Sequence, residues 1–368
     1  MRTPLCDTFG IQHPIFGFTP SEHVAAAISR AGGLGVLGCV RFNEAAELDA
    51  VLDWMDANTD GKPYGVDIVM PATVPTEGTS MDLNKLIPPA HRAFVARTLS
   101  ELGVPEIPGS ADNGAGVLGW LHSVARAHVE VALRHPIKLI ANALGSPPVD
   151  VIEQAHARNI PVAALAGKAE HARRHVDNGV DIVVSQGYEA GGHTGEIATM
   201  VLLPEIVDAV GDRVPVLAAG GIGSGRQAAA GLSLGASGVW MGSYWLTTSE
   251  YRQTMDSAGA MQQALLSATS ADTVRTRIYT GKPARLLKTR WTEAWQAEDA
   301  PQPLPMPLQN LLVGPAHERI VASEDPSVVS MPVGQIVGRM NEIHSVADVM
   351  AELLREYGET LARLDKTR

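Results

Sequence analysis

At 368 residues, with 45% hydrophobic and 19% charged side chains, the chain is long enough for one large domain or two ordinary ones and apolar enough to bury a sizeable core. A formal charge of −11 offers no favourable field to nucleic acid or to an anionic membrane. Two cysteines without metal-ligand spacing, no charged start followed by an apolar core, and no apolar run near the ~20 residues of a membrane span predict a cytoplasmic protein with neither a metal nor a membrane segment.

In chain order, short apolar runs alternate with Ala-rich amphipathic stretches. The strands predicted are Pro14–Phe18, Gly35–Leu37, Tyr64–Met70, Ile137–Ala141, Val162–Leu165, Ile182–Ser185, Val216–Ala219 and Gly238–Met241. Helices are predicted over Ser21–Arg30, Glu44–Ala57, Leu121–Arg134, Val149–Arg158, Ala169–Asn178, Leu202–Val210 and Gly225–Leu234, several of them closed by Gly or Asn-Gly. Eight such repeats in ~250 residues match a TIM (β/α)8 barrel of the α/β class. A doubly wound sheet is the alternative, but Gly32-Gly33-x-Gly35 lacks its phosphate-binding spacing.

Two regions break the repeat. Residues 71–119 are rich in Pro and Gly, with one helix expected near His91–Leu102, and form an insertion after the third strand. On the C-terminal face of a barrel it would be a lid or substrate-selecting element, or a surface excursion. Residues 251–368 are expected to form a helical extension, closed by a helix near Ser345–Leu364 whose apolar residues recur every three or four positions. The expected division is therefore a barrel over 1–250 and an extension packed on it.

Chemistry concentrates at three turns. After the seventh strand, Gly220-Gly221-Ile222-Gly223-Ser224-Gly225 brings small residues and a serine cap to a helix start; after the eighth come Gly242 and Ser243. Barrels commonly hold a phosphate at these loops, partly on the positive end of a helix. After the sixth strand, Gln186-Gly187-Tyr188-Glu189-Ala190-Gly191-Gly192-His193-Thr194-Gly195 surrounds one imidazole with four glycines. They would let a flat ligand lie against the main chain, Gln186 would read its polar edge, and His193 would serve as general base or donor. A flat, phosphate-bearing ligand suggests FMN, although a sugar phosphate or another nucleotide fits the composition equally. His171 and His175 lack a third partner, and Cys39 reads as a packing residue.

The run Gln186–Gly195 closely resembles a signature of the nitronate monooxygenase family, FMN-dependent TIM-barrel proteins. Ala219-Gly220-Gly221-Ile222, Leu234–Ser243 and Gly281-Lys282-Pro283-Ala284-Arg285 resemble further stretches of it, in order. The resemblance implies that Gln186 and Gly191, with Gly192, contact the flavin ring or ribityl chain. It implies that Gly220, Gly221, Trp240, Met241, Gly242 and Ser243 hold the phosphate end, and that His193 is catalytic. Asp67 stands where the family usually has Asn, and Thr19-Pro20 where it usually has Pro-Met. The implied reaction is oxidation of an alkyl nitronate with O2. The alternatives are an NAD(P)H-dependent FMN reductase of an enoyl-thioester or quinone, and a non-catalytic FMN-binding module; a homo-oligomer is compatible with each.

Overall fold

The structure, a computed structural model, describes residues 1–70, 83–107, 122–254 and 258–367. The elements run α1 (Pro4–Phe9), β1 (Ile15–Thr19), α2 (Glu22–Arg30), β2 (Leu34–Gly38), α3 (Ala45–Asn58), β3 (Tyr64–Asp67), α4 (Pro89–Glu101), α5 (His122–Ala132), β4 (Ile140–Asn142) and α6 (Val149–His156). They continue β5 (Val162–Ala166), α7 (Ala169–Asp177), β6 (Ile182–Gln186), β7 (Gly192–His193), α8 (Thr199–Val210), β8 (Val216–Ala219), α9 (Gly225–Ser233) and β9 (Gly238–Met241). The last are α10 (Ala258–Ser267), β10 (Thr273–Thr276), β11 (Ala284–Leu287), α11 (Arg290–Ala294), α12 (Leu308–Ala322) and α13 (Val346–Asp365).

Strands β1–β6, β8 and β9 close a parallel barrel, β9 pairing with β1 through Phe16↔Trp240. This is the expected TIM barrel. Its strands read as continuous apolar runs because each is covered on both faces, by the barrel interior and by the helix layer. Alternation along the pleat decides which face a side chain takes. Phe16, Val36, Ala141, Ala163, Val184, Leu217 and Trp240 share one interior cluster, whereas Tyr64, Val66 and Ile68 pack outward on Leu48, Leu52 and Met55 of α3. Each large apolar side chain so buried contributes roughly 1.5–3 kcal/mol. The unpredicted α1 adds Leu5, Cys6 and Phe9 to the interior cluster, Phe9 meeting Phe16 edge-on at 5.3 Å.

The helix expected inside the insertion is α4. Its Phe94 packs on Trp295 at 4.9 Å and its Arg97 pairs with Asp299 at 2.6 Å. Residues 71–82 and 108–121, which hold about half of the insertion, lie outside the described residues. The chain after residue 250 is not helical alone: β10 and β11 form a hairpin that β7 joins as a third antiparallel strand. Helix α13 opens on a capping box, Ser345 Oγ accepting from Asp348 N, and buries Val346, Val349, Met350 and Leu353. Among the described residues, no helix is long and apolar enough to cross a membrane.

Candidate active site

The pleat that sorts the core also sorts the mouth of the barrel. Counting from Tyr64 and Val66, which face the helices, Asp67 faces inward at the C-terminal end of β3. Gln186 follows the inward Val184 and pairs with Ala219, which pairs in turn with Trp240. Trp240 was expected to hold a phosphate; its indole instead points into the barrel and stacks over Phe18 at 6.3 Å and 18°. The next residue, Met241, faces outward into the helix layer, and its carbonyl accepts from Trp245 Nε1 at 2.9 Å. Only main-chain atoms of Met241 are therefore available to a ligand in the mouth.

The two phosphate turns differ from the expectation in one respect. Helix α9 does not present an open N-terminus, because Glu356 of α13 reaches it: Gly225 N donates to Glu356 Oε2 at 2.8 Å, and Arg339 holds Oε1 at 3.1 Å. A carboxylate of the chain itself thus satisfies the positive helix end. The turn before α9 and the one after β9 stay available. Gly220 and Gly221 adopt φ of +94° and +71°. The main-chain N–H groups of Gly221, Gly242 and Ser243 have no hydrogen-bond acceptor among the described residues. Ser243 Oγ accepts from Gly334 N at 2.8 Å, which leaves its own proton to donate.

The glycines around His193 have a different use from the one expected. A Cβ on Gly187 would fall 2.0 Å from Thr199 Oγ1, on Gly191 2.7 Å from the Val333 carbonyl carbon, and on Gly195 2.9 Å from Gly167 O. Those three positions are small so that protein segments can meet. At Gly192 a Cβ would meet only Pro332 Cβ, at an ordinary 3.8 Å, and the glycine is needed for a φ of +72°.

His193 itself is held by the C-terminal hairpin. It pairs with Ala284 and Gly192 with Arg285, which makes β7 the edge of the three-stranded sheet. His193 Nε2 lies 2.6 Å from Thr280 Oγ1, and that oxygen also accepts from the main-chain N–H of Lys282 at 3.3 Å. Burial, reinforced by the charge of Lys282, pushes the imidazole pKa down to about 4. His193 is consequently neutral at pH 7, a state that accepts a proton and does not carry one to donate as a cation.

Arg285 was not singled out by residue-level reasoning. It is 2% exposed, donates from Nε and Nη2 to Tyr188 O at 3.1 and 3.0 Å and from Nη1 to Thr273 Oγ1 at 3.0 Å, and lies 4.4 Å over the Tyr188 ring. Arg275 ties Thr194 through Nε to Oγ1 and through Nη2 to the carbonyl. Both ends of the imidazole loop are thus fastened by guanidinium groups. The available signal was the Gly281–Arg285 stretch, but only the fold shows that it lies against Gln186–Gly195. His175, which pairs with His171 in sequence, has both ring nitrogens engaged, with Ser146 Oγ at 2.6 Å and Leu165 O at 3.1 Å. Cys39 is buried, and its thiol pKa is pushed up, first by burial and then by the charge of Asp67, so it stays neutral.

The chain is similar to known proteins over nearly its whole length. The profile of a family described as nitronate monooxygenase matches residues 2–356. Rv1533 of Mycobacterium tuberculosis, provisionally named a monooxygenase, is 45% identical over 99% of this chain and 98% of its own. A solved nitroalkane oxidase from Streptomyces ansochromogenes is 26% identical with a TM-score of 0.79, covering 98% of this chain and 99% of that one. FabK from Thermotoga maritima is 27% identical with a TM-score of 0.75 over 100% of both chains.

Proposed function

The chain belongs to the nitronate monooxygenase family and is a flavin-dependent oxidoreductase, and we propose that it oxidises alkyl nitronates with FMN and O2 to a carbonyl compound and nitrite. The observation that carries the proposal is a neutral, hydrogen-bonded His193 placed beside Lys282 in β7, on the segment that follows barrel strand β6.

The donors at the mouth suit FMN. The unspent N–H groups of Gly221, Gly242 and Ser243, with the Ser243 hydroxyl, would hold the phosphate. Gln186 and Asp67, inward at the strand ends, with the main chain of Gly191, Gly192 and Gly220, would meet the ring and ribityl chain. FMN, when bound, supplies acceptance of electrons from the nitronate and their delivery to O2.

The remaining work falls to the protein. Neutral His193 takes the proton from the carbon beside the nitro group of a neutral nitroalkane, and Thr280 fixes the imidazole's orientation for that transfer. The charge of Lys282, already felt at His193, draws the anionic nitronate into the same place. Arg285 and Arg275 keep the loop from drifting as charge develops. The test is aerobic turnover of a preformed nitronate: nitrite release with O2 consumption supports the reading, and absence of nitrite from the FMN-loaded protein rejects it.

A further inference from the structure

At the inner end of β3 sits an acid with almost nothing to hold its charge. Asp67 is 2% exposed, and its Oδ1 is buried without a hydrogen-bond partner among the described residues. Among the described residues, the one donor that meets its carboxyl is the main-chain N–H of Ala143. The strand neighbours that flank it in register are Gly38 and Ala141, neither of which has a polar side chain.

Among the described residues, the surrounding elements supply no cation to compensate. From the turn after β2 come Cys39, whose thiol is kept neutral by burial, and Arg41, which pairs with Glu22 of α2 at 2.6 Å. His23 of α2 packs tilted against Trp54, ring centroids 4.3 Å apart at 59°. From β4 comes Asn142, whose Nδ2 is spent on the carbonyls of Met70 and Gly145 and whose Oδ1 accepts from Met70 N and Leu144 N. Tyr64, Asp56 and His135 belong to the other end of the strand and its outer face. A buried carboxylate in such surroundings is costly unless it is protonated, and burial accordingly raises the pKa of Asp67 to about 7.

We propose that Asp67 binds the flavin as a neutral acid, its unpartnered oxygen carrying a proton that it donates as a hydrogen bond to an acceptor on the cofactor's ring edge. This rests on the reading of the barrel mouth as the FMN site. A carboxyl group kept neutral by an apolar site can donate where an amide donates. An Asp in the position of an Asn thereby keeps the donor and gains a proton that can leave. Flavin affinity becomes linked to pH: below pH 7 the donor is in place, and above it each pH unit costs about tenfold in affinity.

The experiment equilibrates dilute full-length holoenzyme from pH 6.5 to 9 and reads released FMN by its fluorescence, for wild type, Asp67→Asn and Asp67→Ala. Titration of FMN itself cancels in the ratio of dissociation constants. The expected result is that wild type weakens relative to Asp67→Asn by about tenfold per unit above pH 7. Asp67→Ala should bind more weakly than wild type at pH 6.5 and no more weakly at pH 9. With FMN bound, a ratio to both variants that stays constant across the range overturns the inference and leaves the cofactor reading standing. Failure of wild type to bind FMN at any of these pH values overturns both.

Discussion

His193 Nε2 and Thr280 Oγ1 stand 2.6 Å apart although 87 residues separate them in the chain. The contact makes the C-terminal hairpin part of the site, because Thr280 lies between its two strands. Thr280→Val would keep most of the volume and remove the hydroxyl. The imidazole then loses a hydrogen bond of roughly 0.5–1.5 kcal/mol, so turnover of neutral nitroalkanes should fall up to about tenfold. His193→Asn should cost roughly 10²–10⁴-fold on the same substrates. A preformed nitronate, which has no proton to surrender, should lose much less in both variants, and steady-state kinetics on the two substrate forms would show it. Equal losses on both forms would remove proton abstraction from the account.

The pH profile follows from the sign of the His193 shift. Its pKa in the folded protein is about 4, below the ordinary imidazole value, so the basic form is fully present above pH 6. Initial-rate kcat/KM on freshly dissolved neutral nitroalkane should be level from pH 6 to 7.5 and fall on acidification with a midpoint near 4. A midpoint near 6.5 would mean that burial does not govern this imidazole.

On the outside of the barrel a second histidine shifts the other way. His135 lies between Asp56, 2.8 Å from Nδ1, and Asp49, 3.0 Å from Nε2, while Tyr64 donates to Asp56 at 2.6 Å. Burial opposes the charge of His135, but the hydrogen bonds to Asp56 and Asp49 outweigh it and raise the pKa. The stabilisation is therefore complete below the unfolded value of about 6.5 and is lost as pH rises through the folded value. In urea unfolding, the deficit of His135→Gln relative to wild type should be largest near pH 6 and shrink by pH 9. A deficit that grows with pH would reverse the assignment.

The barrel was legible because its strands are buried on both faces and so read as apolar runs between Gly and Asn stops. The inward placement of Asp67 and Gln186 follows from the period of two once Val66 and Val184 are assigned to their faces. Other features were not legible. Strands β10 and β11 are four residues each, and the first is Thr-Val-Arg-Thr, half-buried throughout, so no apolar run marks it. The third strand of their sheet is the two residues Gly192–His193, too short for any period. Glu356 is one glutamate among many on α13, and only packing brings it to Gly225. The glycines of Gln186–Gly195 pointed to close approach, but sequence does not say whether the approaching atoms are ligand or protein. At 187, 191 and 195 they are protein.

The plug at α9 separates two candidate phosphate holders. If the phosphate sits at the turn after β9, Ser243→Ala should weaken FMN binding about tenfold, the order of one charge-assisted hydrogen bond. Glu356→Gln keeps an acceptor for Gly225 N, so it should leave FMN affinity unchanged while lowering stability by about 1 kcal/mol through loss of charge near the helix end and Arg339. Fluorescence titration with FMN and thermal unfolding of both variants would distinguish them. Weakening of FMN by Glu356→Gln equal to that by Ser243→Ala would move the phosphate to α9.

The most direct test of nitronate oxidation is anaerobic mixing of the FMN-loaded protein, in separate runs, with an alkyl nitronate and with NAD(P)H, followed by flavin absorbance near 450 nm. Rapid bleaching by the nitronate and no comparable bleaching by NAD(P)H are expected. Rapid bleaching by NAD(P)H with a nitronate that leaves the spectrum unchanged would contradict nitronate oxidation and make the protein a reductase.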